Sequence, residues 1–202
     1  ILDKIDLSHF KQNPKWLIGF SDITALHALF QNKLNTVSIH GPMAKHIIDA
    51  EPERADIEAL WQMLRGEKVV YENAPNELNR LGKVTGRLVG GNLSLLYALR
   101  GTPYDIDPDG AILFIEDVSE YLYHLDRMMQ NLKLSGLLKR FSGVIVGQFT
   151  DMKDNDSPFG QSTYDIIAEA LRDCTCPVVF NFPAGHCEPN YPLPLGASVT
   201  IE

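Results

Sequence analysis

In the stretch KWLIGFSDITALH, residues 15–27, an apolar run stops at Ser21-Asp22 and a helical pattern begins at once. A hydroxyl at such a junction supports two chemistries. As an N-cap, its oxygen accepts a backbone N–H of the first helical turn, worth about 1 kcal/mol. As a nucleophile, it is lifted out of the sheet by a sharp strand-to-helix turn, and the N–H of the next residue, Asp22, faces a developing oxyanion. The Gly-x-Ser-x-Gly spacing is absent, since the local order is Gly19-Phe20-Ser21-Asp22. The residue types leave both readings open.

A serine nucleophile needs a base, and the base needs an orienting carboxylate. Six histidines are available. His27 lies too far along the helix that follows Ser21 to turn back on it, and His9 and His46 sit in polar surroundings. His124 reads as a half-buried packing residue. His40 and His186 each follow an apolar strand beside Gly or Pro, where sites form in open α/β sheets. For the carboxylate, Glu116 stands at the end of the apolar run AILFI (residues 111–115). It serves equally as an acid near the start of the next helix, favoured by the helix dipole. Asp117 and Glu120 share its neighbourhood.

The elements that must hold these groups alternate. Strands are expected at 16–20 and 36–39, helices at 22–33 and 53–65. That order suggests a parallel α/β layer. Periodicity is lost over 66–83. Beyond it come strands at 84–89, 111–115, 141–146, 178–180 and 197–201, and helices at 93–100, 119–135 and 163–172. Gly90-Gly91-Asn92 reads as a turn. The fold class is α/β with two domains. Residues 1–75 form a partial N-terminal parallel layer carrying the nucleophile elbow, 76–84 a linker, and 85–202 a C-terminal domain of mixed strands and helices carrying Glu116 and His186.

Composition narrows the function classes. The 202 residues are 45% hydrophobic and 22% charged, with a formal net charge of −8. No Lys/Arg run offers a nucleic-acid footprint. No apolar stretch approaches the roughly 18–20 residues that span a bilayer, and no signal peptide is recognisable. Cys174, Cys176 and Cys187 lack the spacing of a disulfide framework or a complete zinc site and read as reduced thiols. No His-Glu-x-x-His motif is present, which is consistent with a serine route without zinc, and no metal or cofactor is expected.

The motifs taken together resemble the serine LD-carboxypeptidases, a family that includes murein tetrapeptide carboxypeptidases and microcin C immunity peptidases. The resemblance rests on KWLIGFSDITALH with His40-Gly41-Pro42-Met43, then GGNLS (90–94), LFIED (113–117), Tyr123 with Asp126-Arg127, FSGVIVG (141–147), PAGH (183–186) and LPLG (193–196), in family order over nearly the whole chain. It implies a metal-free triad of Ser21 as nucleophile, His186 as general base and Glu116 as its orienting acid, with the Asp22 N–H as an oxyanion donor and Asn92 as a substrate contact. His40 would then shape the floor of the site. The implied substrate is a small peptide, a murein tetrapeptide losing its terminal D-Ala in the cytoplasm during wall recycling, and the implied assembly is a homodimer. The alternatives are an immunity-type peptidase acting on peptidyl-nucleotides and a catalytically silent binding module. No aromatic insertion lies between Ser21 and Glu116, which favours the murein reading. Family members also carry a segment with an Arg-Gly-Gly-Tyr-Gly stretch before the position of Ile1, expected to supply a second oxyanion donor. Its absence predicts a truncated or clipped form that is inactive unless the piece is supplied.

Overall fold

The computed structural model describes residues 1–48 and 54–202. A one-turn 3-10 helix, Leu2–Lys4, and helix α1, Ser8–Gln12, lead into strand β1, Ile18–Gly19. A second 3-10 turn, Ser21–Ile23, runs directly into α2, Thr24–Leu34. Then follow β2 (Ser38–His40), α3 (Ala44–Ile48) and α4 (Ala55–Leu64). The expected helix start at Glu53 lies outside the described residues. The other strands are β3 (Val84–Asn92), β4 (Ala111–Val118), β5 (Gly143–Thr150), β6 (Val178–Val179), β7 (Leu193–Leu195) and β8 (Ser198–Ile201). Between them lie α5 (Leu93–Ala98), α6 (Leu122–Leu134) and α7 (Thr163–Ala170).

Two sheets result. The smaller has the order β1-β2-β7, with β1 and β2 parallel and β7 antiparallel to β2. The larger has the order β6-β5-β4-β3-β8, parallel except for β8. Central β4 explains the AILFI run. Residues 111–115 are all fully buried because apolar clusters cover both faces, and a strand covered on both sides has no reason to alternate. On one face α6 packs Leu125, Met128, Met129 and Leu132 against the sheet, each burial contributing roughly 1.5–3 kcal/mol.

Three expectations change. β7 falls between the strands expected at 178–180 and 197–201, where none is expected. It is an edge strand, where Pro194 is tolerated because no further strand asks for its missing N–H. Gly90, Gly91 and Asn92 are the last residues of β3 and not a turn. A Cβ on Gly90 would stand 1.9 Å from the Phe114 carbonyl oxygen, and one on Gly91 would stand 2.6 Å from Thr24 Oγ1. The glycines therefore let β4, and the helix that follows Ser21, approach β3 at backbone distance. Finally, β4 runs on through Glu116 and Asp117, with a register irregularity against β5 between Ile115 and Asp117. Bulges of this kind re-aim a side chain near a site.

Candidate active site

Ser21 holds a backbone φ of +61°. For a residue with a Cβ this left-handed conformation costs on the order of 1–3 kcal/mol and persists where the surroundings enforce it. Neither the 3-10 turn Ser21–Ile23 nor α2 receives a side-chain cap hydrogen bond. The capping reading of Ser21 therefore has no hydrogen bond behind it. Asp22 is exposed. Its N–H precedes the first bond of the turn, from Ile23 N–H to the Phe20 carbonyl at 3.2 Å, so it is one of the donors that a helix start leaves unpaired.

Glu116 is fully buried, and its Oε2 lies 2.7 Å from His186 Nδ1. Burial alone would raise the Glu116 pKa, but the hydrogen bond from His186 and the approach of His40 outweigh it and hold the carboxyl below its ordinary value. The His186 ring is a fifth exposed. Burial would lower its pKa, yet the hydrogen bond and charge of Glu116, with Asp117 and Asp22 further out, raise it. With Nδ1 donating to the carboxylate, Nε2 is left as the basic nitrogen. The ring packs edge-on against Phe20, the residue before Ser21, with centroids 4.9 Å apart. Ser21 Oγ makes no hydrogen bond to His186 among the described residues. Catalytic hydrogen bonds of this type are often long before substrate binds.

The loop that carries His186 is tied down from α4. Asp56, fully buried, accepts from Arg54 Nε at 2.8 Å and from Asn190 N–H at 2.9 Å. Asn190 Oδ1 in turn accepts from Gly185 N–H at 2.9 Å. Gly185 adjoins His186, and a Cβ there would stand 2.8 Å from Glu116 Oε2. Neither Asp56 nor Asn190 was singled out in the sequence. The only signal would have been a polar residue, Asp56, on the buried face of an otherwise apolar helix.

A second network fixes the far side of β4. Asp117 accepts from Asn92 Nδ2 and Ser94 N–H, both at 2.9 Å, and from Ser94 Oγ at 2.7 Å. Burial raises the Asp117 pKa, only partly offset by those donors. Glu120 binds Ser94 Oγ at 3.0 Å and His124 at 2.5 Å. Both acids are thereby committed away from His186. Asn92 Oδ1 caps α5 by accepting from Leu95 N–H at 3.2 Å, and its own N–H donates to Thr24 Oγ1 at 3.0 Å. One amide proton of Asn92 remains outside these bonds.

The remaining histidines separate clearly. His27 is buried between the Ser38 hydroxyl at 2.8 Å and the Gly19 carbonyl at 3.0 Å, and burial pushes its pKa down to about 4. It cross-links β1, β2 and α2. His40 is fully buried beside Glu116, and His46 packs on Phe20. His9 is exposed. The three cysteines are free thiols, with pKa values raised by burial, that of Cys187 to about 12. Among the described residues no group of three or more His, Cys, Asp or Glu could hold a metal ion, and no helix is long and apolar enough to cross a membrane.

A strained serine at a strand-to-helix turn, with a buried carboxylate–imidazole pair on the same α/β frame, is the set of groups that serine-type hydrolase sites use. The family comparisons narrow that class. The model of the LD-carboxypeptidase C-terminal domain matches residues 85–201, and that of the N-terminal domain matches residues 1–41. The chain belongs to the LD-carboxypeptidase family. It is similar to a probable murein peptide carboxypeptidase of Bacillus subtilis, 34% identical over 200 residues, covering 98% of this chain and 63% of that protein. The microcin C7 self-immunity protein MccF of Escherichia coli is 28% identical over 232 residues, covering 100% of this chain and 67% of that protein. A structure of MccF in complex with glutamyl sulfamoyl guanosine, at 26% identity, has a TM-score of 0.84 over 100% of this chain and 68% of that one. The muramoyltetrapeptide carboxypeptidase of Oxalobacter formigenes, at 28% identity, gives 0.78 over 97% and 68%. The chain spans a little under two thirds of the length of the Bacillus relative.

Proposed function

We propose that the protein is a metal-independent serine carboxypeptidase that hydrolyses the bond between an L-configured centre, L-Lys or meso-diaminopimelate, and a terminal D-Ala of a murein tetrapeptide. The observation that carries this reading is the 2.7 Å contact between His186 Nδ1 and Glu116 Oε2, built beside a serine at positive φ.

Ser21 Oγ attacks the scissile carbonyl as His186 Nε2 takes its proton. Glu116 holds the ring in the tautomer with Nδ1 protonated and stabilises the imidazolium that forms. The Asp22 N–H receives the oxyanion. His186 then gives its proton to the departing nitrogen, the C–N bond breaks, and D-Ala leaves. Water, deprotonated by His186, attacks the acyl-enzyme and releases the shortened peptide and free Ser21. Asn92 offers its free amide proton as a substrate contact.

The murein reading is supported by the higher identity to the Bacillus relative than to MccF and by the lack of an aromatic insertion between Ser21 and Glu116. The fold similarity to the MccF complex favours one alternative, cleavage of a peptidyl or aminoacyl nucleotide by the same triad. A role in the cytoplasm during wall recycling, as a homodimer, completes the proposal, and sizing of the native protein tests the dimer. The functional test uses the complete gene product. D-Ala release from tetrapeptide is expected, together with its loss in Ser21→Ala. Cleavage of an aminoacyl sulfamoyl nucleoside without D-Ala release would install the alternative, and neither activity would leave a binding module.

A further inference from the structure

We propose that His40 is a positioning residue of this site, whose Nε2–H donates to Glu116 Oε1 and so holds the carboxylate from the side opposite His186. The proposal rests on the functional reading above. His40 ends β2, is fully buried, and has no protein hydrogen-bond partner on either ring nitrogen among the described residues. Its walls are aromatic, with the Phe114 ring edge-on at 4.8 Å and Phe20 at 6.1 Å. A leucine or phenylalanine would fill such a slot without leaving a buried polar atom unpaired. Glu116 Oε1 is a second buried atom without a hydrogen-bond partner, and His40 Nε2 faces it at 3.9 Å. That separation is about 1 Å beyond a hydrogen bond. A donor and an acceptor, each unpaired and each buried, thus stand one small displacement apart. With the proton on Nε2, only a lone pair is left unpaired on Nδ1, which is less costly than an unpaired N–H.

The geometry gives the contact a consequence for the reaction. Glu116 Oε2 is already engaged by His186. A donor on Oε1 stops the carboxylate rotating away from that partner and stabilises its charge. His40 belongs to the small sheet, paired with Gly19 of β1 and Leu193 of β7, whereas Glu116 belongs to the large one. The contact therefore makes the Glu116–His186 alignment depend on how closely the serine-bearing sheet sits on the other. The titratable groups facing this pair are His186 and Cys187 from the 183–191 loop, Asp117 on β4, and His27 on α2, whose ring centroid is 6.5 Å from that of His40.

The test measures kcat, KM and the pH profile of D-Ala release in the complete gene product for His40→Leu, His40→Gln and His40→Asn. A glutamine amide reaches about as far as Nε2, and asparagine does not. His40→Leu and His40→Asn should lower kcat about 10–100-fold, the range typical of lost supporting hydrogen bonds, with KM changed less than about 2-fold. The acid limb should move to lower pH, because a loosened Glu116 raises the His186 pKa less. His40→Gln should recover most of the rate and restore the limb. Wild-type kcat with an unmoved limb in folded His40→Leu, or His40→Gln no better than a folded His40→Asn, overturns the role of His40. If the leucine variant fails to fold, the glutamine–asparagine contrast decides. Full activity in Ser21→Ala would instead sink the functional reading beneath it.

Discussion

The two halves of the site are built differently. On the large sheet, Glu116, Asp117 and Asn92 sit toward the buried ends of long strands, and Asp117 and Asn92 are tied into one hydrogen-bond network with Thr24, Ser94 and Leu95. On the small sheet, two- and three-residue strands carry a serine at positive φ and a buried imidazole without a hydrogen-bond partner. The bond-making hydroxyl is thus held on a strained turn beside short strands, and the charge on a longer strand whose neighbours are tightly hydrogen-bonded. This is the division expected of preorganised catalysis, in which a stiff electrostatic frame is set against a reactive group kept from its relaxed conformation.

Perturbing each half tests that division. The largest loss should come from the serine side. Ser21→Ala should lower kcat by about 10⁴–10⁶-fold with an unchanged melting temperature, read by D-Ala release beside a thermal melt. A fall in melting temperature with activity kept would return Ser21 to a structural role. On the acid side, Glu116→Gln keeps the shape but removes the charge that favours the productive tautomer, and should cost about 10⁴-fold. The same charge raises the His186 pKa. A base that must be neutral loses activity as pH falls through its pKa, so the wild-type kcat/KM profile should begin to fall above the ordinary imidazole value of about 6.5. Any residual activity of Glu116→Gln should fall at lower pH.

Smaller effects should follow from the links between the halves. Asn190→Ala removes the acceptor of Gly185 N–H and should destabilise by about 1–3 kcal/mol in urea melts, with kcat reduced more than KM. At the bottom of the scale, EDTA should leave turnover unchanged, and a marked loss would point to metal binding at the cysteines or His40.

The large sheet was the more legible half. Continuous apolar runs such as AILFI and the 3.6-residue pattern of α6 announce two-sided burial and a helix packed on one face. The elbow was visible only as a break in pattern. Nothing in Gly19-Phe20-Ser21-Asp22 separates a cap from a strained turn, because both place the same residue types at a helix start. β7 is not legible, because Pro194 argues against a strand unless its edge position is known. Asp56 is not legible, because a polar residue on a helix face reads as solvated until the loop bearing Asn190 covers it. The Gly90-Gly91 pair stands out in the sequence, but its close approaches are not encoded in periodicity.

A fluorophosphonate probe on the complete gene product, followed by intact mass and peptide mapping, asks whether the Glu116–His186 pair activates Ser21. One adduct is expected, on Ser21, and it should be lost in His186→Ala. An unlabelled Ser21 in a protein that still releases D-Ala would contradict that activation.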